Sequence, residues 1–128
     1  MDIRVYLGRD WQRLGFNCWA LVREIYAAER GQDLPLVPVD PDQYRDLLHA
    51  FAKHPAHGLF EPCAAEYLAV AALSRHGVGV DHVGVWLPDD GGVILHNDRH
   101  TGVIAQPPAQ MQREGWQVLG YYRLRDMS

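Results

Sequence analysis

A cysteine in the first turn of a predicted helix is the residue of this chain best suited to covalent chemistry. Cys18 follows Asn17, whose side-chain oxygen can accept a hydrogen bond from an unpaired N–H group at a helix start. Apolar residues recur after it at helical spacing, and Gly31 stands where a helix commonly ends. Near the positive end of a helix dipole, the pKa of a thiol falls below its free value of roughly 8.5. Cys18 is therefore a candidate nucleophile, although the same position also suits a small buried core residue.

Two histidines lie on a predicted β-hairpin later in the chain. Residues 81–87 alternate as a strand does, and residues 92–96 form a second such run. The sequence Pro88-Asp89-Asp90-Gly91 between them is typical of a turn. We therefore expect two neighbouring antiparallel strands, one carrying His82 and the other carrying His96.

The register of this hairpin decides which side chain meets His82. If Leu87 pairs with Val93, His82 and His96 share a face one diagonal step apart, at roughly 7–8 Å between backbones. A shift of one residue would present Asn97 instead, because alternate residues point to opposite faces. We predict the first register, with His82 as the base and His96 as the residue that orients it.

A cysteine at a helix start, a strand histidine and a polar residue on the next strand are the parts of a papain-like cysteine hydrolase. In these parts the chain resembles the NlpC-type cell-wall peptidases, in particular the short members encoded in phage tail gene clusters. The segments that carry the resemblance follow the family's order over nearly the whole chain. They are Tyr6-Leu7-Gly8, Trp11, Gly15, residues 17–26, Leu34-Pro35, residues 82–87, residues 93–96 and residues 119–123.

The resemblance implies a Cys-His-His catalytic triad of Cys18, His82 and His96. It implies hydrolysis of peptidoglycan stem peptides, often between D-glutamate and diaminopimelate, without a cofactor or metal. We expect three tryptophans to contact substrate: Trp11, Trp19 and Trp86. Other proteins of a phage tail tip are further partners that the resemblance suggests.

Three single positions and one residue pair depart from the family's pattern. Asn17 replaces the usual Asp, Trp11 stands where an aromatic residue, commonly Tyr, helps the oxyanion hole, and Ala20 replaces a Gly. Ala65-Glu66 is the nearest match to the Gly-Asp pair that opens the strand before the histidine. These changes leave open a structural component of a tail tip with weakened catalysis. An acyltransferase or thioesterase ranks third, because such relatives place the histidine before the cysteine.

Composition excludes several classes of protein. The 128 residues are 48% apolar and carry a net charge of −4, which predicts one domain over residues 1–128 and argues against a nucleic-acid partner. No apolar run approaches the roughly 20 residues needed to span a bilayer, and the first residues lack a secretory-signal pattern. We therefore expect synthesis in the bacterial cytoplasm, with the virion tail as the destination that the resemblance suggests. Of the two cysteines, Cys63 is expected to be a free or buried thiol rather than half of a disulfide.

Three histidines outside the hairpin lie close together in sequence and could suggest a zinc site, but we expect them to be solvated side chains. They are His49, His54 and His57, and no fourth ligand stands at a zinc-like spacing. We therefore predict no metal.

The remaining pattern predicts an α+β domain with helices first and a mostly antiparallel sheet afterwards, which the resemblance makes a papain-like NlpC-type fold. The predicted elements are a helical turn over 10–14, a helix over 17–30, a loop over 32–39, a helix from Pro41 capped by Asp40, strands over 67–73, 101–106 and 116–124, and a short helix at Pro107-Pro108.

Overall fold

The computed structural model describes residues 1–12, 15–34, 60–75, 80 and 82–125. These residues form an α+β structure whose sheet is antiparallel between all neighbouring strands, as predicted. The helices are α1 (Cys18–Arg30) and α2 (Pro108–Arg113). The strands are β1 (Phe60–Cys63), β2 (Val70–Ser74), β3 (His82–Leu87), β4 (Val93–Asp98), β5 (Gly102–Gln106) and β6 (Gln117–Leu124). Their order in the sheet is β1-β6-β2-β3-β4-β5.

Helix α1 begins and ends where its cap residues predict. The Asn17 side chain accepts a hydrogen bond from the Ala20 N–H at 3.0 Å, which closes the first turn behind Cys18. Gly31 ends the helix in the left-handed conformation, at φ 61°, which glycine adopts without steric cost. The cysteine is therefore held in the first turn of a thirteen-residue helix.

The β3–β4 hairpin has the predicted register. Leu87 pairs with Val93 and Gly84 pairs with His96. A short 3-10 turn at Asp89–Gly91 joins the strands, in the segment where turn residues cluster. His82 and His96 consequently share one face of the sheet.

The two faces of the sheet bury different cores. Helix α1 packs against one face, in a cluster that includes Val83, Val85 and Leu95. On the opposite face Ile94 packs with Met111 of α2 and with Trp116. Alternation along β3 and β4 places the two histidines on the face of α2.

Strand β2 is shorter than predicted. The expected strand over 67–73 begins only at Val70, because Leu68 has φ 66°, a left-handed conformation that interrupts extended backbone. The hydroxyl of Tyr26 donates a hydrogen bond to the Leu68 carbonyl, which ties this turn to α1. The other predicted strands and the short helix α2 lie within two residues of their predicted bounds.

Three further expectations differ from the structure or lie outside it. The helical turn predicted over 10–14 is absent at residues 10–12, and a 3-10 turn lies earlier, at Ile3–Val5. Strand β1 was not predicted. It contains Pro62, which lacks a backbone hydrogen-bond donor and argues against a strand. Proline is tolerated here because β1 lies at the edge of the sheet. The helix predicted from Pro41 lies outside the described residues.

Candidate active site

A cavity of about 320 Å³ lies at one end of the sheet. Because the strands are antiparallel, the ends of β2 and β4 meet the beginnings of β3 and β6 there. The start of α1 reaches the same place. The residues that line the cavity are Trp11, Cys18, Arg75, His82, Asn97, Asp98, Arg99, His100 and Trp116. The candidate nucleophile and the candidate base therefore face one common space.

His82 and His96 are joined as the hairpin register predicts. The Nε2 atom of His82 lies 2.9 Å from Nδ1 of His96, and both side chains are buried. The ring centroids are 5.0 Å apart, with the rings nearly perpendicular. Because Nε2 of His82 is engaged in this bond, Nδ1 is the nitrogen left for proton transfer.

Asn97 points to the other side of β4, as alternation requires. Its side-chain N–H donates to the Phe16 carbonyl at 3.0 Å, two residues before Cys18. The Asn97 Oδ1 atom is buried and accepts no hydrogen bond from the described residues. Asn97 thus contacts the segment that leads into α1, whereas His96 contacts the His82 ring.

A glutamine and a glutamate extend the hydrogen bonds of the histidine pair. Nε2 of His96 lies 2.8 Å from Oε1 of Gln106, the last residue of β5. The Gln106 amide in turn donates to Oε2 of Glu114 at 2.7 Å. Neither residue was predicted from the sequence. Gln106 could have been, because it is a polar residue at the end of the strand that pairs with β4.

Trp116 covers the ring of His82. The two rings are stacked with centroids 4.7 Å apart, and the Arg75 guanidinium lies 4.2 Å from the centre of the indole. Burial lowers the pKa of His82 well below its ordinary value, and the nearby His96 and Arg75 lower it further. His82 is therefore a neutral imidazole at neutral pH, the form that can accept a proton.

Burial also lowers the pKa of His96, against a smaller opposite effect of its hydrogen bond to Gln106. A neutral imidazole has one protonated and one unprotonated nitrogen. His96 can consequently donate a hydrogen bond on one side and accept one on the other, as a residue between two partners must.

The two cysteines have different surroundings. Cys18 is 6% exposed and lies at the cavity in the first turn of α1. Cys63 is free, as predicted, and half-buried in β1. Burial and the neighbouring Glu66 raise the pKa of the Cys63 thiol to about 11. Cys63 is therefore a protonated thiol at neutral pH.

Comparison of the chain with protein-family models, with curated proteins and with solved structures found no match. The NlpC-type family assignment remains a prediction from the sequence, and the chemistry of the site rests on its own geometry.

Of the three tryptophans expected to contact substrate, one lies at the cavity. Trp11 lines it, whereas Trp19, a residue of α1, is buried in the core, and Trp86 packs on the α2 face. Trp86 shares a face with His82 but stands four residues further along the strand, at about 13 Å. Trp116 instead supplies the aromatic surface beside the base.

The other polar residues of the cavity were also not predicted as site residues. Arg75, Arg99 and His100 line it together with Asp98, whose carboxylate lies 3.8 Å from Arg75. Arg75 follows β2 and the other three lie at the end of β4 or just after it, and the strand order brings these two segments together.

The described residues contain no cluster of three or more His, Cys, Asp or Glu side chains arranged to hold a metal ion. His49, His54 and His57 lie outside them. No helix in the described part of the chain is long and apolar enough to cross a membrane.

Proposed function

We propose that this protein is a cysteine peptidase that hydrolyses peptide bonds through a covalent thioester. Cys18 is the nucleophile, His82 the general base and acid, and His96 the residue that orients His82. The observation that carries the proposal is one cavity lined by a helix-start cysteine and by a histidine whose far nitrogen is bonded to a second histidine.

The reaction follows from the roles of these atoms. His82 Nδ1 takes the proton of the Cys18 thiol as the sulfur attacks the carbonyl carbon of the substrate. The same nitrogen gives the proton to the leaving amine, which leaves an acyl group on Cys18. Water then attacks the thioester while His82 accepts its proton, and the acid product departs with the thiol restored. The backbone N–H of Cys18, at the helix start, stabilises the oxyanion.

The cavity favours a substrate that carries carboxylates. Among the described residues that line it, two guanidinium groups, Arg75 and Arg99, stand against the single carboxylate of Asp98. Guanidinium groups bind carboxylates through paired hydrogen bonds. A peptidoglycan stem peptide, with the free carboxylates of D-glutamate and diaminopimelate, fits this charge. We therefore propose the D-glutamyl–diaminopimelate bond as the bond that is cut.

The finer fold assignment belongs to the same proposal. A cysteine helix followed by antiparallel strands with histidines on β3 and β4 is the order of a papain-like NlpC-type domain. The phage-tail setting rests on the sequence resemblance, as do a cytoplasmic site of synthesis and tail-tip proteins as partners.

Mass spectrometry of muropeptides incubated with the purified protein tests the proposal. We expect new fragments from the wild-type protein and none from Cys18→Ala or His82→Ala. Cys63→Ser is the matched control and should cleave as the wild type does. A folded wild-type protein that leaves muropeptides intact would overturn the proposal in favour of a structural tail component. Cleavage that persists in Cys18→Ala would exclude the covalent mechanism.

A further inference from the structure

The hydrogen bonds behind the catalytic base form a chain of four side chains that ends on a carboxylate. His82 contacts His96, His96 contacts Gln106, and Gln106 contacts Glu114, at 2.9, 2.8 and 2.7 Å. The proposed mechanism uses only the first of these contacts. The other two involve a buried glutamine and the residue that ends α2.

We infer that Glu114, acting through Gln106, fixes the tautomers of both histidines and so makes Nδ1 of His82 the nitrogen that takes the thiol proton. The tautomer assignment stands on the hydrogen bonds and on the burial of both histidine rings. Its catalytic consequence rests on the proposed function.

The direction of each bond follows from the one before it. An ionised carboxylate can only accept, so the Gln106 group facing Glu114 must be its NH₂, which turns Oε1 toward His96. An amide oxygen can only accept, so Nε2 of His96 must carry the proton. A neutral His96 then has an unprotonated Nδ1, which accepts a hydrogen bond from the Nε2–H of His82.

The last step leaves His82 with its lone pair on Nδ1. Burial keeps this ring neutral, so the proton on Nε2 is the only ring proton it carries. In the opposite tautomer Nδ1 already carries a proton, so it could not accept the proton of the Cys18 thiol. The carboxylate thus selects the reactive form of the base from three hydrogen bonds away.

The position of Glu114 is unfavourable for local structure. It caps the carboxyl end of α2, where the helix dipole disfavours a negative charge. Residues that break a local rule commonly do so for a functional contact. Here the carboxylate reaches back to Gln106, and its other oxygen lies 3.5 Å from the side-chain nitrogen of Gln110.

Nitrogen-15 NMR of the histidine rings tests the tautomers directly. Cys18→Ala is the background, since it removes the thiol as a proton source for His82. At pH 7.5 we expect both His82 and His96 to carry their proton on Nε2. In Cys18→Ala/Glu114→Gln, whose amide can donate as well as accept, the Gln106 amide can turn, and we expect both tautomers of His96. A proton on Nδ1 of either histidine in Cys18→Ala would overturn the inference. Identical tautomers in Cys18→Ala and Cys18→Ala/Glu114→Gln would overturn it as well.

Kinetics on the otherwise wild-type protein test the consequence. Glu114→Gln should lower kcat by about 2- to 10-fold, and Gln106→Leu by about 10- to 100-fold, with KM little changed. Gln110→Ala is the matched control, because it removes the other contact of the same carboxylate and should leave kcat unchanged. Equal losses in Glu114→Gln and Gln110→Ala would show a merely structural role. If the wild type cleaves no peptide, the proposed function fails, whereas the NMR result still decides the tautomers.

Discussion

Gly84 lies directly opposite His96 in the β3–β4 pair, with no room for a methyl group between them. A Cβ atom at Gly84 would come within 2.6 Å of the Ile94 side chain and 3.0 Å of the His96 Cβ. We therefore expect Gly84→Ala to displace His96, to lower the free energy of unfolding by about 1–3 kcal/mol and to lower kcat. Urea unfolding and peptide hydrolysis measure the two effects.

Gly120→Ala is the control for this substitution. Gly120 also lies within a strand, but a Cβ there would make only ordinary contacts with Tyr122, at 3.7 Å. We expect it to change stability and kcat little. If Gly84→Ala behaved like Gly120→Ala, the close fit between the strands would not matter for the position of His96.

His96→Ala should lower kcat strongly, and Asn97→Ala should lower it less. His96 contacts the His82 ring, whereas Asn97 contacts the backbone before Cys18. The loss at His96 should remain smaller than at Cys18 or His82, because water can partly replace an orienting side chain. Steady-state hydrolysis by the four alanine variants checks this order. A larger loss in Asn97→Ala than in His96→Ala would show that Asn97, and not His96, orients His82.

Iodoacetamide at pH 7.5 should alkylate Cys18 much faster than Cys63. The start of α1 favours a thiolate at Cys18. The pKa of Cys63, raised to about 11, leaves it with about 300-fold less thiolate than a cysteine of ordinary pKa, roughly 8.5. Peptide mapping by mass spectrometry follows both sites. Cys18→Ser should retain only slow labelling, and equal rates at the two cysteines of the folded protein would contradict an activated Cys18.

Stability should fall as the pH drops below about 6.5, the ordinary pKa of histidine. Burial lowers the pKa of His82 and His96 in the folded state, so in this range the unfolded chain binds protons that the folded chain does not. Each histidine then lowers the free energy of unfolding by up to about 1.4 kcal/mol per pH unit. Urea unfolding at pH 7.5 and 5.5 measures the loss.

The matched variant for this measurement is His82→Phe, which keeps a ring against Trp116 but cannot titrate. We expect its stability to differ less between the two pH values than that of the wild type. An equal difference in both proteins would mean that His82 titrates alike in the folded and unfolded states.

Local chemistry made part of this structure predictable. The bounds of α1 follow from Asn17 and Gly31, whose capping roles depend only on adjacent residues. The register of the hairpin follows from its turn and from the alternation around it, so the contact of His82 with His96 was accessible from the sequence.

The rest of the site depends on long-range strand order. Arg75, after β2, and Trp116, before β6, line the cavity, and Gln106, at the end of β5, contacts His96. No local pattern specifies these long-range placements. The position of Trp19, by contrast, has a local cause. It adjoins Cys18 in sequence, but the next residue of a helix is turned by about 100°, which directs this side chain into the core.

Strand β4 holds both halves of the proposed reaction at once. His96, on one face, is bonded to the base, and Asn97, on the other, is bonded to the carbonyl two residues before the nucleophile. Because adjacent residues make the two bonds, a displacement of this strand would act on the support of the base and on the segment before the nucleophile together. One strand therefore supports both reacting groups, which limits how far thermal motion can change their relative position.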